Sequence, residues 1–252
     1  MEFSRRIMQM QASPIRRLIP YAEEAKRKGR KVFHLNIGQP DIVTPPSFFE
    51  ALRDFRSDVL AYAPSEGIPE LLDAIRGYYK KYDVELGREN ILVTDGASEA
   101  IVFAFTALCD PGDEILIPEP FYANYNPFAE SVSAVIVPIT TKAEEGFHLP
   151  SRQVLESKIS PRTKAIVLCH PGNPTGAIYT AEEMSMVADL AKKHDFFIIA
   201  DEVYREFVYD GIPYRSFASL KGVEDRVVIM DSISKRYSAC GARVGCVISR
   251  NT

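Results

Sequence analysis

The sequence predicts an α/β fold, with a mostly parallel central sheet and helices on both faces. Three observations carry this. From about residue 91 onward, short apolar runs alternate with helical patterns, as crossover connections between parallel strands require. Two of those runs, Phe196–Ala200 and Val227–Met230, are almost continuously apolar, as strands buried on both faces must be. The turns that follow the runs carry Asp201 and Lys235, at the strand ends where open sheets of this class bind ligands.

The chain has 252 residues, 46% hydrophobic and 25% charged, enough for one large core and a smaller second lobe. Its net charge of −4 gives no electrostatic case for a nucleic-acid or membrane partner. It has no run of about 18 apolar residues, the length a transmembrane helix needs. The basic N-terminus lacks the apolar core of a secretory signal. Four scattered cysteines, Cys109, Cys169, Cys240 and Cys246, point to reduced thiols in a reducing compartment, hence a cytoplasmic protein. The four histidines have no metal-ligand spacing, so no metal site is expected. Cys169 and His170 are adjacent but should point apart along a strand, which argues against a nucleophile–base pair.

In chain order, residues 1 to about 13 read as a loosely held arm. Residues 14–30 read as an amphipathic helix with Ser13 as cap, Gly29 near its end and a kink at Pro20. A strand, Val32–Leu35, is expected to lead into a tight loop, where Gly38 would let the backbone approach a ligand. Pro45 and Pro46 open a helix through Phe55, and a second helix runs from Glu70 to Tyr82. Ile91–Thr94 is a strand, Gly96–Glu99 a turn and Ala100–Leu108 an apolar helix. Such a unit offers backbone N–H groups and a positive helix end to an anion; Gly96, Ala97 and Ser98 are small enough for close approach. After the strand Glu114–Ile117, an aromatic, Phe121 or Tyr122, stands where it could lie flat on a ring. Ala134–Pro138 is a strand and residues 140–150 a surface excursion. Lys164–Cys169 is a strand running into H-P-G-N-P-T-G, whose prolines and glycines hold Asn173 at the strand end. Thr180 caps a helix to Lys193. Phe196–Ala200 then delivers Asp201, a carboxylate that needs a cationic partner if buried. After Val227–Met230, Lys235 lies in a short polar loop. Eight residues later comes Arg243, between Gly241 and Gly245, a planar fork suited to phosphate.

Five motifs in order resemble those of the class I/II aminotransferases, fold-type I enzymes that use pyridoxal 5′-phosphate (PLP). They are G-Q-P-D from Gly38, the Y-x-x-x-x-G-x-P pattern from Tyr62, N-P-T-G from Asn173, D-E-x-Y from Asp201 and S-x-S-K from Ser232, closed by Arg243. The resemblance implies that Lys235 holds PLP as an imine and moves the substrate α-proton. It implies that Asp201 keeps the pyridine nitrogen protonated, and that Tyr204 and Asn173 bond the 3′-oxygen. Gly96, Ala97, Ser98, Ser232 and Arg243 would fix the phosphate, and Tyr122 would cover the ring. Tyr62 would serve the phosphate of the other subunit in a homodimer with a shared site. Gly38 and Asn173 would line the substrate side.

The resemblance further implies an aminotransferase moving an amino group between an aspartate- or glutamate-like amino acid and a 2-oxo acid. A C–S β-lyase or cyclising synthase on the same scaffold shares these motifs. A non-catalytic PLP-binding module would have no use for the lysine's chemistry. The expected division is residues 1–45 as arm and N-terminal part of a small domain, and 46–252 as the PLP-binding large domain. No arginine matches the family's carboxylate-gripping one: Arg5, Arg6, Arg16 and Arg17 lie in or near the arm, and Arg205, Arg215 and Arg236 match nothing in the pattern. That arginine, with most of the small domain, is expected in family sequence beyond Thr252.

Overall fold

A computed structural model describes residues 1–10 and 16–251. Among the described residues the N-terminal third holds four α-helices: α1 (Arg5–Gln9), α2 (Ile19–Arg27), α3 (Pro46–Asp54) and α4 (Pro69–Tyr79). The sheet then begins. Its strands are β1 (Ile91–Asp95), β2 (Glu114–Glu119), β3 (Val135–Thr140), β4 (Thr163–Cys169), β5 (Phe197–Asp201), β6 (Val227–Ser232) and β7 (Val244–Ser249). Between them lie α5 (Gly96–Leu108), α6 (Tyr125–Ser131), α7 (Arg152–Glu156), α8 (Ala181–His194) and the one-turn α9 (Ile233–Arg236).

The strand order is β1-β7-β6-β5-β4-β2-β3. Only β7 runs antiparallel, to both its neighbours β1 and β6; the other pairings are parallel. Side-chain alternation feeds two cores. Along β4, Ile166 and Leu168 join α4, α7 and α8 on one face. Ala165 and Val167 join α5 and α6 on the other. Along β5, Ile198 and Ala200 go to the first core and Ile199 to the second. A strand can be apolar at every position only when both its faces are covered, and the unbroken apolar runs reflect this. All six β6 residues are buried, including Asp231 and Ser232 at its C-terminal end. That buried polar end is where the site forms.

Local chemistry explains the main helices. Thr180 and Glu183 form a reciprocal capping box at the start of α8, and Lys192, Lys193 and His194 occupy its last turn, matching the helix dipole. At the start of α5, Gly96 has φ +68°, a left-handed conformation that a residue with Cβ resists.

Four sequence expectations are corrected. Val32–Leu35 forms no strand: Phe33 and Leu35 are exposed and no neighbouring strand offers partners. Pro20 does not kink a helix. It lies in the first turn of α2, where its missing N–H costs nothing, after a separate 3-10 turn at Arg16–Leu18. Lys235 is not in a loop but in α9, whose N-terminus Ser232 caps by accepting from Ser234 N at 3.0 Å. The region from Gly96 is helical from its first residue rather than a turn. The expected cap at Ser13 lies outside the described residues.

Candidate active site

A cavity of about 590 Å³ opens at the C-terminal ends of the parallel strands. Seven segments supply its walls, one of them the stretch with Cys240 and Arg243 ahead of β7. Strand β5 brings Asp201, with Tyr204 just beyond it. The end of β6 and α9 bring Ser232, Ser234 and Lys235. The turn after β4 brings Asn173, the turn after β2 brings Phe121 and Tyr122, and the start of α5 brings Ala97 and Ser98. Asn36–Gln39 closes one side.

Asp201 is only 4% exposed. It accepts a hydrogen bond from the Tyr125 hydroxyl at 2.7 Å and one from Val203 N at 3.3 Å. Both donors are neutral, and Asp201 enters no ion pair among the described residues. Burial, with the nearby Asp231 and Glu202 charges, pushes its carboxyl up to about 6, against the pull of Tyr125. A buried acid left without a cation, yet facing a cavity, matches a cationic ligand atom.

The Lys235 amine faces the same cavity. Its Nζ donates to Gly38 O at 2.6 Å and lies 6.0 Å from the centre of the Tyr204 ring. The Asn173 amide donates to the Tyr204 hydroxyl at 3.4 Å, and both line the cavity. Burial raises the Tyr204 phenol above its ordinary value, so it remains a neutral donor at physiological pH. Among the described residues three X-Pro bonds are cis, two of them flanking Gly172 and Asn173, at His170–Pro171 and Asn173–Pro174.

A corner with the chemistry to suit an anion forms where α5 meets β7. Gly245 pairs with Thr94 on one side and Ser232 on the other. A Cβ there would stand 2.5 Å from Gly96 C, 2.7 Å from Ala97 N and 2.8 Å from Asp231 O. Only glycine allows this approach. It carries Arg243 against Gly96, where a Cβ would collide with the guanidinium. Arg243 donates to Asp95 O and to Cys240 O, each at 3.2 Å, and its head remains half exposed at the cavity rim. A guanidinium, the Ser98 side chain and the start of a 13-residue helix thus converge.

Ten of the expected site residues come together: Gly38, Ala97, Ser98, Tyr122, Asn173, Asp201, Tyr204, Ser232, Lys235 and Arg243 line the cavity. Gly96 lies just behind the lining, under Arg243. Tyr62 does not line it and is fully exposed. Phe121 and Tyr122 both line the cavity, so the structure keeps both as candidates for the ring face. Cys169 and His170 form no pair. The Cys169 thiol donates to Pro171 O, while His170 lies between the Tyr179 and Tyr214 rings and accepts from Tyr179 N. Sequence reasoning passed over Tyr125, Ser234 and Cys240. Tyr125 stands three residues after Tyr122, and that spacing was the available signal.

This sheet order places a lysine, a buried aspartate and an arginine corner together at its strand ends. The chain belongs to the aminotransferase class I and II family, whose model matches residues 30–252. It is 35% identical to an asparagine–oxo-acid transaminase of Streptococcus mutans, with 98% of this chain and 64% of that protein covered. It is 38% identical to a probable aspartate/prephenate aminotransferase of Aquifex aeolicus, with 96% and 62% covered. Among solved structures, an aspartate aminotransferase of Thermotoga maritima superposes with a TM-score of 0.92 at 34% identity, over 99% of this chain and 66% of that one. The chain thus spans somewhat less than two thirds of the length of the curated relatives it matches.

Proposed function

We propose that the whole protein is a PLP-dependent aminotransferase exchanging an amino group between an aspartate- or glutamate-like amino acid and a 2-oxo acid. The observation that carries this reading is the pairing of two groups in one cavity, the Lys235 amine and the buried, cation-lacking carboxylate of Asp201.

The residues fit the cofactor. Asp201 would hold the proton on the pyridine nitrogen. Tyr204 and Asn173 would donate to the 3′-oxygen, and Tyr122 would cover the ring. Ser98, Ser232, Arg243 and the backbone N–H groups of Gly96 and Ala97 would hold the phosphate. When bound, PLP supplies an electron sink for the bond broken at the substrate α-carbon. The Lys235 amine would hold the cofactor at rest and, once the substrate amine has taken its place, would be free to take the proton from the substrate α-carbon and return it on the way to product. The Gly38 loop, already bonded to Lys235, lines the substrate side and restricts water.

Residues 46–252 serve on this reading as the cofactor-holding large domain, and 1–45 as the arm and a portion of a smaller one. The exposed Tyr62 reaches a second copy's phosphate in a homodimer with shared sites. The cytoplasm suits its metabolite substrates. Among the described residues no helix is long and apolar enough to cross a membrane.

The test is product analysis on the whole protein loaded with PLP, given aspartate or glutamate and a 2-oxo acid. Appearance of the exchanged 2-oxo acid and amino acid supports the reading. Elimination products without exchange favour the lyase alternative, and no turnover of any amino acid refutes an enzyme.

A further inference from the structure

Lys235 sits on a helix of one turn, too short to hold its own geometry. What fixes it lies one residue on. Arg236 turns away from the cavity into the protein, and its guanidinium pairs with the carboxylate of Asp231, both side chains being at least nine-tenths buried. Asp231 is the residue before the Ser232 cap, so the ion pair closes a loop around the whole of α9. The same carboxylate accepts from Ser232 N at 2.7 Å and from the Tyr79 hydroxyl at 3.0 Å. The guanidinium carbon of Arg236 lies 4.1 Å from the centre of the Tyr78 ring, on α4. A second buried cation, Arg205, joins Glu202 at 2.6 Å and stands 3.7 Å from Asp231. Glu202 directly follows Asp201. The network therefore ties the strand end bearing Asp201 to the turn bearing Lys235.

We propose that Arg236 is a positioning residue, which sets the direction of the Lys235 amine through its pairing with Asp231 and its stacking on Tyr78. This rests on the reading that Lys235 holds the cofactor. Neighbouring side chains on a helix point about 100° apart, so locking the azimuth of residue 236 locks that of residue 235. Fold stability alone is a poor reason for the arrangement. It brings two arginines to one carboxylate and leaves Arg236 Nε buried without a hydrogen-bond partner among the described residues. Buried pairs of this kind return little net stability. The demand is for a planar cation, since only a guanidinium can pair with Asp231 edge-on and stack on Tyr78 face-on.

The experiment compares wild type, Arg236→Lys, Tyr78→Leu and Tyr78→Phe. Each is freed of cofactor and mixed with PLP. The rate of covalent attachment is read by absorbance, its place by borohydride reduction and peptide mapping, and the exchange of the Tyr237 and Ala239 amides, which bond back to Ile233 and Ser234, by mass spectrometry. Arg236→Lys and Tyr78→Leu should attach PLP about tenfold more slowly, as expected for a misoriented nucleophile. They should also exchange those two amides faster. Tyr78→Phe keeps the ring and should stay within about twofold of wild type. If Arg236→Lys does not fold, the Leu–Phe contrast at Tyr78 decides alone. Wild-type rates in Arg236→Lys, or equal rates in the two Tyr78 variants, overturn the proposal and leave a purely structural pair. Wild-type label on a lysine other than Lys235 overturns the cofactor reading and this proposal with it, a result distinct from the other two.

Discussion

Asp201 is the residue where function and stability oppose each other. Burial pushes its carboxyl up to about 6, from an ordinary value of 3.8. A raised acid stabilises the fold only below its unfolded value, and that contribution is lost as pH rises through 6. The cofactor-free protein therefore carries a penalty on the order of 3 kcal/mol at neutral pH, at about 1.4 kcal/mol for each pH unit separating the folded and unfolded titrations. Asp201→Asn removes the ionisation. The stability of that variant relative to wild type, from denaturant titrations of the cofactor-free forms, should rise by that order between pH 4 and pH 7. A difference that stays flat across that range contradicts the raised titration. The same substitution should abolish most turnover, because an amide cannot hold the pyridine proton. Tyr125 works against the penalty by donating to the carboxylate. In Tyr125→Phe, the Asp201 titration followed by carbon NMR should move above pH 6 by about one unit, through loss of a bond to the charged form; a movement downward contradicts it.

Asp201 was legible in the sequence because it directly follows an unbroken apolar run, and a polar residue there has one place to go; Lys235, five residues beyond Met230, was legible through the S-x-S-K motif that follows a second such run. Tyr125 was not. Its partner lies 76 residues away, and no local pattern encodes a hydrogen bond of that span. Arg236 was passed over because it matched no motif, although its partner is only five residues back.

Among elements, β7 decides whether the site exists. It is the antiparallel strand that brings Arg243 to the start of α5, and it fits because Gly245 has no side chain. The three nearest atoms to a Cβ there are all backbone, which has no rotamer to yield. Gly245→Ala should cost about 1–3 kcal/mol by overpacking and weaken phosphate binding. Chemical denaturation and the PLP dissociation constant check the two effects; a neutral substitution would contradict the packing. The sequence marked Gly245 as a motif glycine but did not reveal the strand around it, since its run, V-G-C-V-I-S, is broken by the glycine that makes it work. The misplaced strand at 32–35 is the converse case. It has strand-like composition, but a strand needs a partner edge, and that is a property of the sheet rather than of the segment.

At the scale of the whole molecule, apolar surface is concentrated between residues 33 and 62. Leu35, Leu60 and Tyr62 are each at least 90% exposed, and Phe33 and Val43 more than 70%. Exposed apolar side chains in this number are the kind of surface that association covers. It coincides with the segment carrying Tyr62, the residue proposed to serve a second copy. The whole protein should therefore sediment as a homodimer at catalytic concentrations, and Tyr62→Phe should weaken PLP retention without dissociating it. A fully active monomer would contradict the shared site.

The mostly parallel sheet with a core on each face agrees with what the alternation of apolar runs implied, and the family match agrees with the resemblance of the motifs. The proposed chemistry depends on one covalent bond, between the Lys235 Nζ and the cofactor. Borohydride reduction of the PLP-loaded protein, followed by proteolysis and mass spectrometry, locates it. A single pyridoxyl group on Lys235, lost in Lys235→Ala, is the expected outcome. Label on another lysine, or equal labelling of Lys235→Ala, would contradict it.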